Sequence, residues 1–235
     1  MIAIKKLNKK FGKVEVLKDL SLDIDEGGIF AILGPNGSGK TTLIKSILGL
    51  VIPNSGDIAI NSKAVKGEWE YRKDINYLPQ IANFPENLTV FEIIEMIKNI
   101  RSKSTNDREL IDAFGLNDFL HRKLSNLSGG TRQKVNIVLT FMFNSNLIIL
   151  DEPTTGLDPI SLVTLKELIR KEQEEGKTIL ITSHIMSFVE EVAEKIVFLL
   201  EGNIYFKGSV EEIMKETNQK SLELSIAHLL KNHNA

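Results

Sequence analysis

The stretch Ile29-Phe30-Ala31-Ile32-Leu33-Gly34-Pro35-Asn36-Gly37-Ser38-Gly39-Lys40-Thr41-Thr42 decides how this chain is read. Its first five residues form an unbroken apolar run, the pattern of a strand buried on both faces. A glycine-rich turn follows, and behind it a helical run from Leu43 to Leu50. Strand, glycine-rich turn, Lys-Thr and helix in that order fit the phosphate-binding loop. The glycines let backbone N–H groups turn inward around an anion, and the helix N-terminus adds partial positive charge. Lys40 would reach the β- and γ-phosphates of a nucleotide, and the Thr41 hydroxyl would ligate Mg²⁺. A glycine-rich turn without a ligand would leave this context unexplained.

Three further buried-type runs lie downstream, at Leu147–Leu150, Thr178–Thr182 and Ile196–Leu200. Between the first two, a helix is predicted with Asp158 as N-cap and Pro159 at its first position. It carries Leu162, Leu165 and Ile169 on one face and stops at Gly176. Buried strands alternating with helices predict an α/β parallel sheet. Residues 1–30 read differently, as short strands at Ile2–Ile4, Val14–Leu17 and Leu20–Ile24 joined by tight turns. Their alternation suits an antiparallel sheet with one wet face. The middle, roughly 81–145, reads as helical, with a capping box at Thr89–Glu92, and is expected as a helical sub-domain inserted into the core. Residues 209–235 read as one or two amphipathic helices.

Composition limits the function classes. The chain has 235 residues, 42% hydrophobic and 26% charged, close to the globular average. Lys plus Arg is 29 against 31 for Asp plus Glu, so no global basic field is present and nucleic-acid binding is not expected. With no Cys, thiolate metal sites and cysteine nucleophiles are excluded. No apolar run reaches the ~18 residues of a membrane span, and the start does not read as a signal peptide. The expectation is a soluble intracellular protein.

Two more motifs carry chemistry. Leu147-Ile-Ile-Leu150 runs into Asp151 and Glu152. Asp151, at the carboxyl end of a parallel strand, is well placed to hold Mg²⁺ through water, and Glu152 to polarise an attacking water. Leu127-Ser128-Gly129-Gly130-Thr131-Arg132-Gln133 places an N-cap serine before two glycines that expose the amides of a helix start. That is a second anion cradle, and two cradles in one chain suggest head-to-tail sharing of nucleotide between two copies.

In order, the chain holds a phosphate loop, Gln80, an LSGG signature, LIILDEP, Gly156-Leu-Asp158 and Ser183-His184. Over residues 1–208 it resembles the ATP-binding cassette (ABC) ATPases. That resemblance implies a P-loop core with a parallel sheet, an antiparallel β sub-domain and an inserted helical sub-domain, with 209–235 as a C-terminal helical tail. It implies ATP and Mg²⁺ as ligands and ATP hydrolysis coupled to transport. Residues Gly34, Pro35, Asn36, Gly37, Ser38, Gly39, Lys40, Thr41 and Thr42 would hold nucleotide. Phe11 resembles the aromatic that stacks on adenine, where Tyr is commoner; a core or edge-strand Phe is the alternative. Gln80 matches the residue that senses Mg²⁺ and the attacking water, a role resting wholly on the resemblance. Ser128, Gly129 and Gly130 would contact the γ-phosphate held by the other copy. Glu152 matches the general base, Asp158 a loop communicating across the dimer, and His184 the switch histidine.

The signature has Thr131 where Gln is commonest, and Lys134-Val-Asn-Ile-Val-Leu139 replaces an Arg- and Ala-rich run. These departures point away from small-solute importers and towards ATPases paired with separately encoded export or maturation permeases. Leu127–Lys134, Thr182–Met186 and Phe198–Gly202 resemble the copper-processing type associated with nitrous-oxide reductase. The partners implied are an integral-membrane permease subunit and a second cassette, as homodimer or heterodimer, which would place the chain peripherally on the inner face of the cell membrane. The groove for the permease is expected between Ile81–Glu86 and the helical insert, with Phe84 as an apolar anchor or a core Phe. The rival reading is a soluble ABC ATPase acting on ribosomes or DNA; it lacks its usual tandem cassette, charged linker, heptad insertion or zinc motif here.

Overall fold

A computed structural model describes residues 1–233. The chain opens with β1 (Ile2–Phe11) and β2 (Val14–Ile24), an antiparallel pair. These replace the three short strands expected from the sequence. Lys6 and Asp19 take φ of 48° and 49°, and the register shifts between Ile4 and Leu7. Such bulges absorb an extra residue without ending the strand, so the lysine-rich segment stays in the ladder. Asn8 Oδ1 accepts from the Asp19 amide at 2.9 Å and closes the irregularity.

Next come β3 (Gly28–Leu33), wholly buried, and α1 (Lys40–Ile47). The helix starts on the motif lysine and stops before Leu50, because Gly49 takes φ 64° and turns the chain. Then follow β4 (Ser55–Ile60), β5 (Lys63–Ala64), a 3₁₀ turn at Glu70–Asp74, and β6 (Ile75–Leu78). The helical stretch holds α2 (Val90–Arg101), α3 (Asp107–Ala113) and α4 (Gly129–Phe141). The capping box of α2 is formed, with the Thr89 side chain accepting from the Glu92 amide and Glu92 Oε2 accepting from the Thr89 amide. The remainder is β7 (Leu147–Asp151), α5 (Pro159–Glu174), β8 (Thr178–Thr182), α6 (Met186–Val192), β9 (Lys195–Leu200), β10 (Asn203–Ser209), α7 (Val210–Thr217) and α8 (Leu222–His233).

Two sheets result. One is four-stranded and antiparallel, in the order β2-β1-β4-β5; the other runs β10-β9-β3-β8-β7-β6, parallel except for β10. Side chains of β3 alternate between two cores. Phe30 and Ile32 pack with Ile2, Leu22 and Ile44 towards the antiparallel sheet and α1. Ile29, Ala31 and Leu33 pack with the helices on the other face, including Ile93, Val135 and Leu165. Val210, Ile213, Leu222 and Ile226 bury α7 and α8 in that second core.

This topology positions the site. Strands β3, β8, β7 and β6 lie side by side and parallel, with Ile32 opposite Thr182, Asp151 opposite Thr182 and Leu78 opposite Leu150. Their carboxyl ends therefore share one edge, where open α/β sheets bind ligands.

Candidate functional site

Four segments leave that edge: the glycine-rich loop after β3, Pro79-Gln80 after β6, Glu152 after β7, and Ser183-His184 after β8. In the loop, Gly34, Gly37 and Gly39 take φ of 150°, 82° and 108°, conformations that side chains rarely adopt. A Cβ on Gly34 would lie 2.2 Å from the Leu199 carbonyl oxygen, so only glycine fits there. Lys40 Nζ donates to the Gly34 carbonyl at 2.7 Å and the Pro35 carbonyl at 3.2 Å. Burial pushes the Lys40 ammonium below its ordinary pKa, and the charges of Glu152 and Asp151 oppose this. Ser38 Oγ is buried and has no hydrogen-bond partner among the described residues. A buried hydroxyl left unpaired in a loop of inward-turning amides fits a site built for a polyanion.

Facing Lys40, Asp151 and Glu152 are both buried, 2% and 6% exposed. Thr182, which the sequence did not single out, organises both. Its hydroxyl donates to Asp151 Oδ1, while its oxygens accept from the Glu152 amide at 3.1 Å. Glu152 takes φ 52°, a left-handed conformation rare for a non-glycine residue, which turns its carboxylate back over the strand end. Its Oε2 lies 2.7 Å from His184 Nδ1 and accepts from the His184 amide at 3.3 Å. Burial, with the Asp151 charge adding, also pushes the neighbouring Tyr77 hydroxyl up to about 12. Lys40, Asp151, Glu152 and His184 thus form one electrostatic unit. Gln80 is exposed just beyond β6.

The signature forms a second cluster. Ser128 caps α4, its Oγ accepting from the Thr131 amide at 3.2 Å. Gly130 packs on the turn at Gly156, where an added Cβ would meet the Gly156 carbonyl oxygen at 2.5 Å. Asp158 caps α5 by accepting from the Ser161 amide at 2.9 Å and pairs with Lys134 of α4 at 2.7 Å. Lys134 first, then the Ser161 amide, hold its carboxyl well below the usual carboxylate range. Phe11 is not a core residue: at the end of β1 it is 51% exposed, with Lys9 Nζ 4.8 Å from its ring centroid. Phe84 is only partly buried and packs against the main core, whereas Ile81 beside it is 74% exposed.

The residues that could hold Mg²⁺ here are those named from the sequence: Thr41 through its hydroxyl, Asp151 through its carboxylate and Gln80 through its amide oxygen. These hard oxygen ligands suit a cation that takes one or two carboxylates and completes its shell with phosphate and water. An apolar cleft of about 450 Å³, lined by Val51, Ile52 and Trp69, adjoins the C-terminal end of α1 and is no part of this edge. No helix among the described residues is long and apolar enough to cross a membrane.

Comparison with known proteins follows the same lines. The family model described as "ABC transporter" matches residues 17–155. A lantibiotic transport ATP-binding protein, SrtF of Streptococcus pyogenes, is 35% identical over 208 residues, covering 87% of this chain and 89% of its own. The L-cystine import ATP-binding protein TcyC of Bacillus subtilis is 31% identical over 244 residues, covering 98% and 99%. Among solved structures, an ATP-binding subunit of an ABC transporter matches with TM-score 0.90 at 31% identity, covering 98% of this chain and 99% of its own. A dimeric ATP-binding cassette in a post-hydrolysis state, bound to ADP and Pi, matches with TM-score 0.79 at 27% identity, covering 89% and 98%.

Proposed function

Since the chain belongs to the ABC transporter ATP-binding proteins, and is therefore the ATPase subunit of a transporter, we propose that two copies close head to tail around two ATP molecules. In each site one copy supplies residues 34–42 and the other supplies Ser128, Gly129 and Gly130. What supports this is the second glycine-opened helix start, capped by Ser128, in addition to the glycine-rich loop of the strand edge, together with the dimeric state of the solved cassette bound to ADP and Pi.

Each residue then has one task. Backbone amides of Gly37 to Thr42 and the Lys40 ammonium hold the β- and γ-phosphates. Thr41, Asp151 and Gln80 would hold Mg²⁺, which would supply positive charge beside the phosphates. Glu152 accepts the proton of the attacking water, and His184 fixes its carboxylate. Asp158, tied to the signature helix through Lys134, carries the state of the Gly156 turn to the partner copy. Closure follows because these contacts exist only with both halves together, the condition for any population shift.

Phe11 stacks on the adenine ring; its exposure at the end of β1 supports this. Stacking of a base on an aromatic side chain contributes ~1–3 kcal/mol, so Phe11→Ala is expected to weaken ATP affinity about tenfold. Equilibrium titration reads this as a raised Kd, and in steady-state kinetics kcat stays nearly constant while KM rises; an unchanged Kd would remove Phe11 from the site.

The cycle pulls on a separately encoded permease docked between Ile81–Glu86 and the helical insert, holding the chain on the inner membrane face. Relatives named for lantibiotic transport and for cystine import have similar identity, so identity does not choose a direction. Thr131 and the run Lys134–Leu139 support the export or copper-processing side. Pull-down of Glu152→Gln with ATP from solubilised membranes tests this. A stoichiometric multi-span partner of export or maturation type is expected; ribosomes or DNA-bound proteins in its place would overturn the transport role.

A further inference from the structure

Helix α4 carries buried polar side chains where an amphipathic helix would place apolar ones. Gln133 and Asn136 are 7% and 3% exposed, and three residues apart they lie on one stripe of the helix. A buried carboxamide is costly unless it is hydrogen-bonded. Each of these is bonded, and each to a proline carbonyl at the functional edge. Gln133 Nε2 donates to Pro153 O at 3.0 Å, directly after Glu152. Asn136 Nδ2 donates to Pro79 O at 3.1 Å, directly before Gln80.

The second contact has a mechanical consequence. β6 is the edge strand and pairs only with β7, the last matched residues being Leu78 and Leu150. Beyond Leu78 the sheet ladder no longer holds the backbone, and Pro79 has no N–H to donate. The Asn136 amide is then the last fixed point before Gln80. The base of the same strand is clamped by like chemistry: Asn76 Nδ2 donates to Phe143 O at 2.6 Å, and Arg101 donates to Asn76 Oδ1 at 2.7 Å. We infer that Asn136 is a positioning residue that sets the place of Gln80 at the nucleotide edge, through the Pro79 carbonyl. The inference rests on the role given to Gln80 above. Because Ser128 caps α4, the helix that presents the signature also holds the Gln80 segment.

Full-length protein with Asn136→Ala, Gln80→Ala and the pair together tests it. Without nucleotide, backbone NMR order parameters at residues 80–82 of Asn136→Ala are expected to fall into the flexible range, while β7 amides keep theirs. The Mg²⁺ concentration for half-maximal ATPase rises, and kcat falls about ten- to a hundredfold with KM for ATP unchanged, since misplacing a positioned group by ~1 Å costs up to ~10²-fold. The double variant is expected to be no slower than Gln80→Ala. Unchanged order parameters at 80–82, or kcat losses that multiply in the double variant, would overturn the inference. Wild-type turnover in Gln80→Ala would instead remove the role of Gln80, while the order parameters still report the tether by themselves. Should Asn136→Ala fold poorly, Asn136→Ser, which keeps a short donor, is expected to show the same pattern in weaker form.

Discussion

Glu152→Gln is expected to lower ATP turnover about 10³-fold while leaving ATP affinity within about twofold, the size of effect that general-base catalysis accounts for. The substitution conserves shape. Glu152 is buried, its amide is held by Thr182, and its strained backbone turn is fixed by the strand end rather than by its charge. A Gln side chain keeps an oxygen facing His184 but cannot accept a proton. Binding rests on other groups, residues 34–42, which the substitution leaves in place. Quench-flow measurement of phosphate release beside equilibrium ATP binding separates the two effects. Turnover within tenfold of the parent would take the general-base role from Glu152.

Lys40→Met has the opposite signature: ATP affinity itself falls, by about 10²-fold. Hydrogen bonds from a charged donor contribute ~1.5–3 kcal/mol, and a factor of ten is ~1.4 kcal/mol. Lys40 also satisfies the Gly34 and Pro35 carbonyls, so its removal loosens the loop as well as deleting a charge. The fall should be steepest for ATP and ADP and small for AMP, which lacks the phosphates that Lys40 reaches. Calorimetric titration with the three nucleotides checks this. An equal loss for all three would mean that the loop had simply collapsed.

The parallel core was legible because its strands are saturated with apolar residues; Ile29–Leu33, Leu147–Leu150 and Thr178–Thr182 admit no other reading. The capping box at Thr89 and the Asp158-Pro159 helix start were legible because capping is local chemistry. β6 escaped, being four residues long with Asn76 at its second position. Its strand character comes from pairing with β7, and its Asn is bonded by Phe143 and Arg101, both remote in sequence. β4 and β10 escaped because they are only partly buried and carry no continuous apolar run. At the site, Lys40, Asp151 and Glu152 could be named from strand ends and glycines. Thr182 and Asn136 could not, since a threonine closing an apolar strand or an asparagine inside a helix means nothing until its partner is known. His184 and Gln80 were legible only through resemblance to a family.

The account depends most on two copies sharing each nucleotide. The direct test is the molar mass of Glu152→Gln, by light scattering or sedimentation, with Mg²⁺ and either ATP or ADP. A dimer with ATP and a monomer with ADP is the predicted result, and Ser128→Arg should return the ATP form to monomer. A monomer that binds ATP fully, paired with wild-type turnover that does not change with protein concentration, would contradict the shared site.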